Sequence, residues 1–191
     1  MQIAQGFSEE QRAEVARLFW QAFSGKLDLL LGPREKGEAF MASVLQPRFA
    51  ICAVDGKQLL GVAGFKTAQG GLVGGGLRDL AVIYGWFGAL WRGLLLDRLE
   101  RDLRDGQLLL DGIFVAEAAR GQGVGTALLE AVLDHGRSLG CREVRLDVVD
   151  TNLRAKALYA RRGLAEVGRI KTGPLRVVFG FREATTMVHR L

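Results

Sequence analysis

Residues 119–131 read ARGQGVGTALLEA: three glycines, Gly121, Gly123 and Gly125, stand within five positions and run directly into good helix formers. Glycine is poor in a helix and loses more freedom on folding than any other residue. Its use here leaves bare backbone at a helix mouth. The first N–H groups of a helix lack internal partners, and the helix dipole adds partial positive charge. Such a mouth is an anion site, and phosphate is its usual guest. The apolar run QLLLDGIFVA just upstream reads as a buried strand. Strand, glycine loop and helix in that order belong to an α/β fold.

The rest of the chain fits that class. Ser8 with Gln11 three residues on is a capping-box pattern, and Ala13, Ala16, Leu18, Phe19 and Phe23 follow at helical spacing. A second helix is expected after Pro33, ending before Pro47. FAICAVDGKQLLGVAGFK reads as a hairpin turning at Asp55-Gly56. QGGLVGGG is a loop or a strand end, and residues 77–104 read as a helix interrupted by Gly85, Gly88 and Gly93. Past the glycine loop a helix runs to about Leu139, with Val124, Ala127, Leu128, Ala131 and Val132 as its core stripe and Gly140 as its stop. REVRLDVVD is a strand, NLRAKALYARRG a short helix, and one or two strands end the chain. No repeat or composition break divides residues 1–191, so a single domain is expected.

Composition narrows the function. Cys52 and Cys141 stand far apart among apolar neighbours, outside any CxxC pair, which fits buried thiols in a reducing cytoplasm. His135 and His189 are the only histidines, so no histidine-rich metal site is expected. MQIAQGF lacks the basic start and apolar core of a signal peptide. LAVIYGWFGALW, residues 80–91, is shorter than the roughly 18–20 apolar residues of a membrane span. Net charge is +5, and residues 141–176 alone carry nine Lys/Arg against four acids. That stretch suits a small polyanion, solubilising arginines or a nucleic acid, although no nucleic-acid recognition motif accompanies it.

Which phosphate ligand fits the loop? A Walker loop needs Lys then Ser/Thr after its last glycine, but Gly125 is followed by Thr126 and Ala127. A dinucleotide fingerprint needs Gly or Ala where Thr126 stands, and only some 65 residues remain to complete such a fold. Arg120-Gly121-Gln122-Gly123-Val124-Gly125 instead resembles the pyrophosphate loop of the GNAT acetyltransferase superfamily, Q/R-x-x-G-x-G/A. Downstream, LDVVDTNLRAKALYARRGL resembles the second signature of that family, with Asn152, Ala155, Tyr159 and Gly163 at its positions. The resemblance is strong over about 105–170 and holds only in outline before that. One departure is Glu117, where many members have proline.

The resemblance implies a central mixed, mostly antiparallel sheet, splayed between its fourth and fifth strands and flanked by helices. It implies acetyl-CoA as co-substrate, no metal, and transfer of the acetyl group to an amine by direct attack in a ternary complex. Backbone groups of Ile113, Phe114 and Val115 would hold the pantetheine and polarise the thioester. Arg120, Gly121, Gln122, Gly123, Val124, Gly125 and Thr126 would hold the diphosphate, with Asn152 beside them. Tyr159 matches the tyrosine that protonates the leaving thiolate. Asp147 lies where one branch of the family carries a glutamate base, with Asp111 as the other candidate. Alternation in RLDVVD leaves Asp147 facing solvent. Residues 74–92 would wall the acceptor site, and the apolar 80–91 tract within them could serve a dimer. The acceptor is a small-molecule amine or a peptide or protein amine, with no membrane partner and no nucleic acid expected. The alternatives are a non-catalytic acyl-CoA sensor on the same fold and a nucleic-acid-binding module.

Overall fold

A computed structural model describes residues 1–97, 103–173 and 180–191, with side chains for all of these except 24–27, 29 and 95–97. Its elements run β1 (Gln2–Gln5), α1 (Arg12–Leu31), α2 (Arg34–Val44), β2 (Ala50–Asp55), β3 (Gln58–Thr67), β4 (Gly70–Gly71) and α3 (Leu77–Asp97). The second half holds β5 (Gln107–Val115), α4 (Val124–Ser138), β6 (Glu143–Val149), α5 (Leu153–Arg161), β7 (Ala165–Lys171) and β8 (Glu183–Arg190). The strands form one sheet in the order β1-β2-β3-β5-β6-β8-β7, with β4 paired to β3. Every neighbouring pair is antiparallel except β5 with β6. The expected mixed, mostly antiparallel sheet is therefore present.

Helices cover both faces of the sheet. On one face α4 packs through its apolar stripe: the His135 ring lies 4.9 Å from that of Phe65, and Gly136 lets the helix close on Val144 and Leu108. A Cβ at Gly136 would meet Leu191 at 2.8 Å and Val144 at 3.1 Å, so any larger residue there would push both aside. On the other face α1 sets Phe19 and Phe23 against Phe114 of β5, with ring centroids 5.6 and 6.2 Å apart. Gly112 makes room for them, since a Cβ there would stand 2.5 Å from the Phe23 ring.

Several local expectations are refined. The capping-box bonds form, from Ser8 N to Gln11 Oε1 at 3.0 Å and from Gln11 N to Ser8 Oγ at 3.3 Å. They close a turn that precedes the helix, which starts at Arg12. β1 has no counterpart in the sequence reading: its four residues are all exposed, so no alternation of apolar and polar residues marks them. α3 breaks at Gly85, where φ is +70° and ψ 163°. Residues 98–104 were read into this helix, and 98–102 of them lie outside the described residues. Both closing strands form, and β8, last in sequence, inserts between β6 and β7. Part of the run expected to form them, 176–179, also lies outside the described residues.

Candidate active site

β5 and β6 run side by side only from Gln107–Glu143 to Leu110–Leu146. Beyond that point β6 stays paired with β8 to Val149, while β5 stays paired with β3 to Val115. The two strands therefore part, at the fourth and fifth long strands of the sheet. A bulge marks the fork: Gly64 faces Gly112 and Phe65 faces Leu110, leaving Asp111 as the extra residue on β5.

Ladder phase fixes which groups face the opening. Ala116 N donates to the Leu60 carbonyl at 2.9 Å, which makes Gly61–Val115 a non-hydrogen-bonded pair. By alternation, the backbone groups of Ile113 and Val115 turn away from β3 into the opening. Those of Phe114 turn toward β3, and its ring is buried under α1. Arg120 Nε lies 3.4 Å from the Val115 carbonyl, across the mouth of the opening.

The glycine loop stands at the same end. Gly121 and Gly123 both adopt φ +82°, a region that side chains other than glycine's rarely enter. The first helical bond of α4 runs from Ala127 N to the Gly123 carbonyl, so the amides of Val124, Gly125 and Thr126 have no acceptor inside the helix. Gln122 folds back, its side-chain amide donating to the Ala118 carbonyl at 2.8 Å. Gly125 differs from its neighbours. It has an ordinary helical φ, and a Cβ on it would touch only Leu158 at 3.9 Å and Val115 at 4.0 Å. Packing within the chain does not require glycine there, whereas close approach by a ligand would. The cradle thus fits a diphosphate held by backbone.

α5 completes the mouth. Asn152 caps it, its Oδ1 accepting from Ala155 N at 3.1 Å. Leu158 rests beside Gly125, and the Arg154 guanidinium reaches to 4.0 Å from where a Cβ of Gly121 would stand. Tyr159, the next residue after Leu158, is buried, and burial pushes its phenol up to about 12. It is fully protonated at neutral pH. Sequence reasoning assigned Arg154 only to the basic stretch. Its place beside the loop comes from the packing of α5 on α4, which no local pattern reveals.

Both candidate bases sit at the fork. Asp111 and Asp147 are the residues that directly follow the last pair, Leu110–Leu146, on their two strands. Asp111 is exposed on the bulge. The expectation for Asp147 is corrected: its side chain is 0% exposed. Alternation does turn it away from the α4 face, but it is buried on the side it faces. Thr186, its cross-strand neighbour, donates to Oδ1 at 2.5 Å, and Arg145 lies 3.6 Å from Oδ2.

Other features fall outside this site. Cys52 lies inside the sheet and burial pushes its thiol up to about 12, so it is no thiolate at neutral pH. Among the described residues no group of His, Cys, Asp or Glu is placed to hold a metal ion, and no helix is long and apolar enough to cross a membrane. A shallow cavity of about 710 Å³, lined in part by Arg12, Gln46, Arg48, Gly74 and Asp79, shares no residue with the fork or the loop. Its Arg12 is engaged by Glu9 and by the carbonyls of Ala42 and Leu45. In the 74–92 segment, Trp86 and Phe87 point outward, 68% and 88% exposed.

A mixed sheet parted between parallel strands, with a glycine-bared helix mouth at the end of the parting, defines an open α/β protein. The sequence profile of the acetyltransferase (GNAT) family matches residues 12–164, and the chain belongs to that family. It is 30% identical over 77 residues to a spermine/spermidine N(1)-acetyltransferase of Bacillus subtilis, covering 40% of this chain and 51% of that one. Over 61 residues it is 38% identical to an aminoglycoside N(6')-acetyltransferase type 1 of Serratia marcescens, covering 32% of this chain and 42% of that protein. The chain thus spans about half the length, or less, of these curated relatives. Among solved structures, an N-acetyltransferase from Staphylococcus aureus superposes with TM-score 0.69 at 14% identity, covering 99% of this chain and all of that one. A ribosomal-protein-alanine N-acetyltransferase from Brucella melitensis gives 0.66 at 16% identity, with both chains fully covered.

Proposed function

We propose that the protein transfers the acetyl group of acetyl-CoA to an amine by direct attack within a ternary complex. The observation that carries this reading is Gly125, which the chain's own packing does not require and which bares the α4 mouth at the end of the β5–β6 opening. Bound acetyl-CoA would supply the activated acyl group. The amides of Val124, Gly125 and Thr126 would hold its diphosphate, with Arg120, Arg154 and the donor side of Asn152 around them. Backbone groups of Ile113 and Val115 would align the pantetheine and polarise the thioester carbonyl.

Tyr159 would donate the proton to the departing thiolate. A phenol near 12 is a weak acid against a thiol near 8.5, so its hydrogen bond to the developing charge matters more than early release of the proton. Asp147, held by Thr186 and Arg145, would take the amine's proton through water. The carboxylate sits at the fork, where Asp111 stands on the opposite strand. The acceptor is a small amine or a peptide amine. The names of the two curated relatives support the polyamine and aminosugar classes.

The test follows free coenzyme A released from acetyl-CoA with a panel of spermidine, an aminoglycoside, a lysine analogue and an alanine-terminated peptide. Release above background with at least one amine is expected. Tyr159→Phe should lower kcat by about 10²-fold or more while leaving coenzyme A affinity within a fewfold. Coenzyme A binding without turnover on any amine would favour the acyl-CoA sensor. No binding by folded protein would end the acetyl-transfer reading.

A further inference from the structure

α3 carries a feature that the transfer reaction does not use. Val82, just ahead of the break at Gly85, and Trp86, Phe87, Leu90, Trp91 and Leu94 after it are between 37% and 88% exposed, and the last five follow one another at helical spacing along one side of their segment. The opposite side of the helix is anchored. Leu80 and Ala89 are buried, the Tyr84 hydroxyl donates to the Leu31 carbonyl, and Arg92 Nε donates to the Leu30 carbonyl at 2.6 Å. These bonds satisfy carbonyls in the last turn of α1 that have no helical partner. The helix is thus fixed to the body with its apolar side outward.

We infer that this face joins a second copy of the chain in a two-fold dimer. The first argument is area. Aromatic side chains offer about 150–250 Å² each and aliphatic ones about the low end of that range, so these six residues present on the order of 700–800 Å². That exceeds the roughly 300–600 Å² of the largest apolar patch on a typical monomer. It matches the roughly 800 Å² per partner of a standard stable interface. The second argument is charge. Between residues 80 and 94 the one charged side chain is Arg92, and it is turned inward over Tyr84 and Trp91, 4.2 Å from each ring. Two copies of the face therefore meet without burying a charge, as a self-complementary contact requires. An anionic lipid surface would instead favour a basic rim. Residues 73–97 contain Arg78 and Arg92 against Asp79 and Asp97, with no such excess.

Sedimentation velocity over a hundredfold concentration range tests the dimer, read beside tryptophan emission. The wild-type chain should sediment as a dimer at the upper concentrations. Its emission should move to shorter wavelength as concentration rises, because Trp86 and Trp91 become covered. Phe87→Glu and Val82→Asp change side chains that are 88% and 83% exposed, so each should keep the far-UV dichroism and, at dilutions where the wild-type chain is monomeric, its melting temperature. Each should weaken dimerisation at least tenfold and abolish the concentration-dependent emission shift. A wild-type chain monomeric throughout would overturn the inference, as would a dimer unmoved by both variants. Flotation of a monomeric wild-type chain with phosphatidylglycerol vesicles would overturn it in favour of a lipid surface. If both variants fail to fold, the wild-type sedimentation and emission data still decide the matter.

Discussion

Gly125 and Gly123 stand two residues apart and answer to different constraints. Gly123 needs glycine for its φ of +82°, so Gly123→Ala should cost about 1–2 kcal/mol in stability. Gly125 has no such need and no close neighbour. Gly125→Ala should leave the melting temperature unchanged or raise it, by up to about 1 kcal/mol of helix preference, while coenzyme A binding weakens. Thermal unfolding and calorimetric titration on the two variants measure both effects, and a Gly125→Ala protein that bound coenzyme A normally would remove the phosphate cradle. The buried titrating groups give a second prediction. Burial raises Cys52 from 9.0 and Tyr159 from 10.0, each to about 12. Between these values the unfolded chain releases protons that the folded chain keeps, so stability is full below about pH 9 and falls as pH rises toward 12. Each group removes about 1.4 kcal/mol per pH unit inside its window. Denaturant midpoints at pH 8 and 10 should show the fall, and Cys52→Ala should flatten its first part.

Among the elements, the α1–α2 pair shows how a helix contact is set by one absent side chain. Gly37 of α2 lies under the Trp20 indole, and a Cβ there would stand 2.1 Å from the ring. Gly37→Ala gains helix preference yet must displace a buried ring, so a net loss of about 1–3 kcal/mol is expected. Trp20→Leu should be less costly in the Gly37→Ala background than in the wild type, and a double-mutant cycle would read that coupling. On the same side of the sheet the same logic shapes the site. Gly112 yields to Phe23, and the bulge at Asp111 ends the pairing of β5 with β6. A candidate base, Asp111, and α1 packing thus meet on one strand.

For the whole molecule, the basic excess is only partly free. Within the 141–176 stretch, Arg145 pairs with Asp147, Lys156 and Arg169 with Glu166, and Arg162 with Glu130 of α4. Arg154, Arg161 and Lys171 make no ion pair among the described residues. With Arg120, Arg154 places positive charge at the glycine loop, where a polyanionic ligand would be drawn in. Coenzyme A affinity should therefore fall with rising salt, and Arg154→Ala should lower it several-fold, reduce the salt slope and leave the melting temperature unchanged. Calorimetry at two ionic strengths checks this. An affinity indifferent to both changes would leave the diphosphate to the backbone alone.

The sequence determined the local units. The Gly121–Gly125 run implied a strand, a bare helix mouth and an anion, because glycine spacing and helix-end chemistry act within a few residues. Asn152 as a cap and Asp55-Gly56 as a hairpin turn were legible for the same reason. Tertiary structure alone decided what crosses elements: β1 at the sheet edge, β8 between β6 and β7, the fork that sets Asp111 against Asp147, and Arg154 beside Gly121. Asp147 makes the division plain. Strand alternation gives the side of the sheet it faces, but its burial comes from strands and helices distant in the chain. Periodicity records which way a residue points, and only packing fixes what it meets there.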